Sequence, residues 1–105
     1  MKYTNLIIIQ HPLSALRFKE ALDIALVSAS YEITAAVFIN SDTIKYYQNA
    51  PQSLELEQVV NMLGEFCVPL FSDKKHSLYQ NAFNPIALSA LTNNSKHQFR
   101  VGKAG

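Results

Sequence analysis

Apolar residues along this chain fall into two patterns. Short unbroken runs alternate with longer stretches in which apolar positions recur at helical spacing. Tyr3 to Gln10 contains Leu6-Ile7-Ile8-Ile9. A β-branched run without alternation is the mark of a strand buried on both faces, as in parallel sheets. Pro12 then breaks the run. Over residues 13 to 30, Leu16, Ala21, Leu22, Ala25, Leu26 and Ala29 trace a helical stripe, with Arg17, Lys19, Glu20 and Asp23 left for water. Residues 33 to 39, Ile-Thr-Ala-Ala-Val-Phe-Ile, repeat the buried-strand pattern. They end in Asn40-Ser41-Asp42, which is turn and N-cap chemistry.

Beyond that point the signals shorten. A short helix or turn is expected over 43 to 49 and is broken by Asn49-Ala50-Pro51. Ser53 fits the cap of a helix running to about Leu63, with Gly64 as its stop. Residues 66 to 71, Phe-Cys-Val-Pro-Leu-Phe, predict a third strand. Pro69 lacks a ladder donor, so this strand is expected to be partly unpaired or at an edge. Ser72-Asp73 fits the cap of a further helical turn reaching Tyr79. Residues 86 to 92 suit helix and strand equally, Gln98 to Val101 suit a short last strand, and 102 to 105 suit a frayed tail. Strand, helix, strand, helix, strand with short links implies right-handed βαβ crossovers. The expected fold class is therefore α/β, one small domain with a mainly parallel sheet flanked by helices. Ligands in such sheets sit outside the carboxyl ends of the strands. That rule singles out Gln10 and His11, then Asn40 to Asp42, then Ser72 to Lys75.

Composition narrows the class. The 105 residues are 49% hydrophobic and 16% charged, which suits a folded chain and leaves room for one domain. A chain of this size removes about 65% of its unfolded surface from water, so oligomerisation would be a natural supplement. The net charge of +1 gives no reason to expect nucleic acid or an anionic membrane as a direct partner. The charge is uneven, however: residues 1 to 70 carry −3 and residues 71 to 105 carry +4. That split suits either a solvated basic surface or head-to-tail docking between subunits. The single cysteine, Cys67, excludes an intramolecular disulfide and fits a reducing compartment. The apolar run at the start is too short for a signal peptide or membrane span, and a cytoplasmic location is expected.

Familiar catalytic chemistry is mostly absent. The chain has three glycines and none lies in the first strand–helix turn, so there is no dinucleotide fingerprint or P-loop. His11, His76 and His97 are far apart, no His/Cys/Asp/Glu group has zinc spacing, and no G-x-S-x-G elbow occurs. No metal and no cofactor is expected. The five Tyr and six Phe read as core rather than as base-stacking platforms.

Two segments resemble a known family. Ala21-Leu22-Asp23-Ile24-Ala25-Leu26-Val27-Ser28-Ala29-Ser30, Tyr31-Glu32-Ile33 and Ala36-Val37-Phe38-Ile39-Asn40 look like the opening helix, turn and strand of DsrE/DsrF/TusC-type domains. Ser41-Asp42-Thr43-Ile44 and Tyr46-Tyr47-Gln48-Asn49 continue the likeness. His76-Ser77-Leu78-Tyr79-Gln80-Asn81-Ala82-Phe83 is similar to the "SL-erGl" helix of the TusC-like subunits. The likeness covers most of residues 3 to 83. It implies a small α/β domain of a kind that forms trimers or hetero-hexamers of homologous sulfur-relay subunits; the size and apolar surface of this chain by themselves suit self-association as a dimer or trimer. It also implies a place in sulfur relay of the tRNA-thiolation type, where one subunit carries sulfur as a cysteine persulfide and hands it on.

The resemblance places the sulfur-carrying cysteine just past the third strand. This chain has Ser72-Asp73-Lys74-Lys75 there. Cys67 falls at the start of that strand, between Phe66 and Val68, where a buried, slowly reacting thiol is expected. Autonomous enzymatic activity is therefore not expected, and a non-catalytic partner subunit is. The alternative is a self-associating protein that binds a small ligand through His11, Asn40, Asp42 and Ser72. Tyr46, Tyr47, Leu54, Leu56 and Val59 offer more apolar surface than one thin sheet needs. Residues 44 to 63 are therefore expected to contribute to an assembly.

Overall fold

A computed structural model describes residues 2–51 and 53–101. The elements are β1 (Tyr3–Ile9), α1 (Ala15–Ser30), β2 (Ala35–Ile39), α2 (Ser41–Asn49), α3 (Leu54–Glu65), β3 (Leu70–Ser72), β4 (His76–Leu78), β5 (Asn81–Pro85), α4 (Leu88–Thr92) and β6 (Ser95–Val101). Six strands form one sheet in the order β4-β5-β3-β2-β1-β6. Every pairing is parallel except β4 with β5. This is the α/β class expected from the sequence, a mainly parallel sheet flanked by helices.

The register explains why β1 and β2 show no alternation. Ile7 and Ile9 lie beside Val37 and Ile39. Together they pack against Phe18 and Leu22 of α1, Ile44 and Tyr47 of α2 and Val60 and Leu63 of α3. Leu6 and Ile8 lie beside Ala36 and Phe38 on the other face, under Leu91 and Leu88 of α4 and the preceding Ile86. Both faces are dry, so both must be apolar. The chain order accounts for the split. From β1 it steps to β2 and on to β3, placing α1 and α3 on one face. It then returns from β5 across β3, β2 and β1 to β6, and α4 covers the opposite face.

Each main helix begins on a side-chain cap. Ser14 accepts from the Arg17 amide at 3.3 Å, Asn40 from the Thr43 amide at 3.2 Å and Ser53 from the Leu56 amide at 3.3 Å. Such caps satisfy amides that the first turn leaves without partners.

Several expectations need correction. Helix α3 does not stop at Gly64 but continues to Glu65. The left-handed position that ends it falls on Cys67, with φ 59°, where glycine is the usual occupant. The Cys67 amide donates to the Gly64 carbonyl, and the Val68 amide donates to the Leu63 carbonyl at 2.9 Å. Phe66 and Cys67 thus belong to a helix ending, and the third strand begins only at Leu70.

Nor is that strand at an edge: β3 lies between β2 and β5. Pro69 precedes it and offers only its carbonyl, which accepts from the Val37 amide at 3.1 Å, so its missing donor costs nothing there. The helical turn expected through Tyr79 is the β4–β5 hairpin instead. Its two-residue loop, Tyr79-Gln80, has φ of 51° and 66°. Two left-handed residues are what a type I′ turn requires, but Tyr-Gln is not the glycine- or asparagine-rich pair that announces one. Residues 88 to 92 are helix, the last strand starts at Ser95 rather than Gln98, and residues 102 to 105 lie outside the described residues. No helix among the described residues is long and apolar enough to cross a membrane.

Candidate functional site

The carboxyl ends of β1, β2 and β3 bring together groups far apart in sequence. Asn40 caps α2 through its carbonyl oxygen, and its amide nitrogen donates to the Gln10 carbonyl at 3.1 Å. The loop after β1 is thereby tied to the end of β2. Next to it lies a denser cluster. Asp73 Oδ1 accepts from the Ser41 amide at 2.7 Å, the Ser41 hydroxyl at 2.9 Å and the Ser72 hydroxyl at 3.2 Å. His76 Nε2 lies 2.9 Å from Ser41 Oγ. Ser41 and Ser72 are buried, while Asp73 reaches water.

Electrostatics explains the arrangement. Ser41 is the first residue of α2, where free amides and the helix dipole favour a carboxylate. Burial raises the Asp73 pKa. The hydrogen bonds from the Ser41 amide, the Ser41 hydroxyl, its own amide and the Ser72 hydroxyl outweigh that and hold it below the ordinary 3.8. An ionised carboxylate only accepts, so the single Ser41 hydroxyl proton is directed at Asp73. His76 Nε2 must then be the donor to Ser41 Oγ. The order is acid–serine–imidazole, not the acid–imidazole–serine of a nucleophilic triad, and the serine proton faces the Asp73 carboxylate rather than an imidazole nitrogen. The cluster is a clamp that joins the β3–β4 connection to the start of α2. At the back of this rim, Tyr47 stacks on Phe18 at 4.2 Å, and its hydroxyl donates to the Leu13 carbonyl at 2.7 Å and accepts from the Leu13 amide at 2.8 Å.

Of the four residues named as ligand candidates, His11 is exposed on the loop after β1, and Asp42 is exposed in the first turn of α2. Asn40 and Ser72 are occupied by the internal bonds described above. The structure gathers Asn40 with Gln10, and Ser72 with Ser41, Asp73 and His76. Ser41, Asp73 and His76 were not foreseen as a group. Ser72-Asp73 carried a capping signal, but the helix it caps lies 32 positions earlier in the chain. His76 is 35 positions from Ser41, and no local pattern links them.

The opposite rim is different in kind. Cys67 is exposed, not buried as expected, because it sits in the turn after α3 rather than in a strand. It borders an open recess of about 300 Å³ lined by Tyr3, Ile33, Phe66, Val68 and Pro69, at the amino ends of β1, β2 and β3. Phe66 and Ile33 remain 43% and 40% exposed there, so this rim is apolar and open while the other is polar and closed. Among the described residues no group of three His, Cys, Asp or Glu could hold a metal ion.

The middle helices also differ from expectation. Tyr47, Leu56 and Val59 belong to the core, and only Tyr46 and Leu54 of the five apolar side chains expected at an assembly surface are exposed.

A mainly parallel α/β domain with a clamped carboxyl rim is thus the class of protein defined here. In solved structures, the crystal structure of the YchN protein from E. coli is similar, with a TM-score of 0.69 over 95% of this chain and 99% of that one, at 14% identity. A likeness at that identity is one of fold. No family model matches the chain, and no curated protein matches it.

Proposed function

We propose that this chain is a subunit of a sulfur-relay assembly of the tRNA-thiolation type and acts as a non-catalytic partner. One observation carries the reading. Where a sulfur-carrying relative would present its cysteine, past β3, this chain has Ser72-Asp73-Lys74-Lys75, and Asp73 is bound to Ser41 and Ser72 as a structural clamp. A thiolate must be exposed and free to be attacked or to attack, and no thiol stands at this rim. The sequence resemblance over residues 21 to 49 supports the same family, and the YchN fold is compatible with it; residues 76 to 83 add nothing to it, because their likeness is to a helix and they form the β4–β5 hairpin. The partners are homologous relay subunits, one of which carries the persulfide.

The competing reading, a small ligand held by His11, Asn40, Asp42 and Ser72, needs free polar groups at one place. Asn40 and Ser72 have theirs engaged.

Native mass spectrometry of the protein from its own cell extract tests the proposal. The expected result is a hetero-oligomer containing a related, cysteine-bearing chain, with no added sulfur on this one. A homomeric species, or a persulfide on Cys67 after incubation with a sulfur donor, would overturn it.

A further inference from the structure

The sheet ends in two edges, β4 and β6, and they are treated differently. Strand β4 has three residues. Its Ser77 carbonyl accepts from Gln48 Nε2 at 2.6 Å, His76 is held by Ser41, and Leu78 is buried. Short length and engaged polar groups are ordinary ways of closing an edge. Strand β6 has seven residues, Ser95 to Val101, and Lys96 through Arg100 are all exposed. It pairs with β1 along one side over its length and, among the described residues, has no strand on the other. An edge of this length offers a row of backbone donors and acceptors that another extended chain can match.

The side chains on β6 state what that chain must carry. Alternation puts Lys96, Gln98 and Arg100 on one face, level with Leu6 and Ile8 of β1, and His97 and Phe99 on the other. Phe99 is 38% exposed. Lys2 borders the same end of the strand as Lys96. After Asp73 the sequence has no acidic residue at all. A second copy of β6 therefore brings no carboxylate in any register, and an antiparallel pairing centred on Gln98 sets Lys96 directly against Arg100. Like charges directly opposite destabilise a strand pair, whereas opposite charges support it.

We infer that β6 is a docking edge for an extended acidic segment of a partner protein, added as a seventh strand. Its carboxylates lie opposite Lys96 and Arg100, and an apolar residue between them lies beside Phe99. The same two bases that keep copies of this chain from pairing edge to edge select the partner. The inference stands on β6 and does not depend on the sulfur-relay reading.

A labelled peptide alternating glutamate with valine is the probe, and its fluorescence anisotropy with the full-length protein is the measurement. Binding that slows amide exchange in β6 is expected, with no binding of a lysine–valine counterpart. The double variant Lys96→Glu/Arg100→Glu, verified as folded by circular dichroism, should lose at least about tenfold in affinity for the acidic peptide and gain it for the basic one. A peptide N-methylated at alternate residues keeps its charge but lacks ladder donors, and it should fail on the unaltered protein. Equal binding of the methylated peptide, equal binding of both charged peptides, or absence of binding would each overturn the inference. So would a homodimer that the double variant abolishes.

Discussion

The two rims of the sheet are built from the same three strands and are chemically opposite. At the carboxyl rim the loops are polar, and their polar groups bond to one another: Asn40 to Gln10, and Asp73 to Ser41 and Ser72. At the amino rim Tyr3, Ile33, Phe66 and Cys67 surround an open recess. The general rule for open parallel sheets directs attention to the carboxyl rim. Here that rim has spent its best binding groups on holding α2 in place. The helix amino terminus that would attract a ligand anion is already served by Asp73, an anion from the chain itself. Chemistry at a topologically favoured place is therefore not automatically available chemistry; the hydrogen-bond partners decide.

The contrast can be broken most severely at Tyr47. It is 5% exposed, stacks on Phe18 and anchors Leu13 at the carboxyl rim. Tyr47→Glu should cost about 4 kcal/mol and leave the chain largely unfolded in a urea titration, because it buries a charge and removes an aromatic contact. Tyr47 was expected at an assembly surface, where the same change would weaken association and spare folding. A folded monomer would restore that view.

Asp73→Ala comes next. It removes the acceptor for two buried hydroxyls and one helix amide, and a loss of about 1–2 kcal/mol is expected, toward the lower end because Asp73 itself reaches water. The pH dependence has a definite sign. The folded pKa of Asp73 lies below its ordinary 3.8, so its contribution is complete above that value and is lost as pH falls through the folded pKa. Stability curves of the wild type and Asp73→Ala should therefore converge in acid. Curves that stay parallel down to strongly acidic pH would show that the carboxylate charge is not what the clamp uses.

At the amino rim the effects are smaller. Cys67 has φ 59°, a conformation that penalises a Cβ. Cys67→Gly removes that penalty but adds freedom to the unfolded chain, so a net gain of about 0.5 kcal/mol is expected from thermal unfolding. A loss would mean that the side chain contributes packing which its exposure does not suggest. Finally, the native Cys67 thiol should react with a soluble thiol reagent at a rate close to that of the denatured chain, since the turn leaves it exposed. Strong protection in the native protein would indicate that a partner copy covers this rim.

Much of the fold was legible because burial writes itself into composition. Leu6 to Ile9 and Ala35 to Ile39 had to be apolar on both faces, and the stripe in α1 had to face them; the parallel pairing of β1 with β2 follows. The site was less legible. Asn40-Ser41-Asp42 announced a helix start through local chemistry, and α2 does start there. Ser72-Asp73 announced a cap as well, but a cap can serve a helix that is distant in sequence, and nothing local tells which one.

By itself, then, the sequence determined the alternation of strands and helices, the two dry faces and the absence of a thiol past β3, all consequences of which residues are neighbours in the chain. Only the tertiary structure decided the rest. The end of α3 was set by the bonds that close it, which placed Cys67 in water rather than in a strand. The order of the strands put β3 inside the sheet and left β6 open. The meeting of Ser41, Asp73 and His76 came from the same packing. The cluster depends on contacts between residues 32 and 35 positions apart, whose closure is driven by burial of the whole core and leaves no local pattern to read.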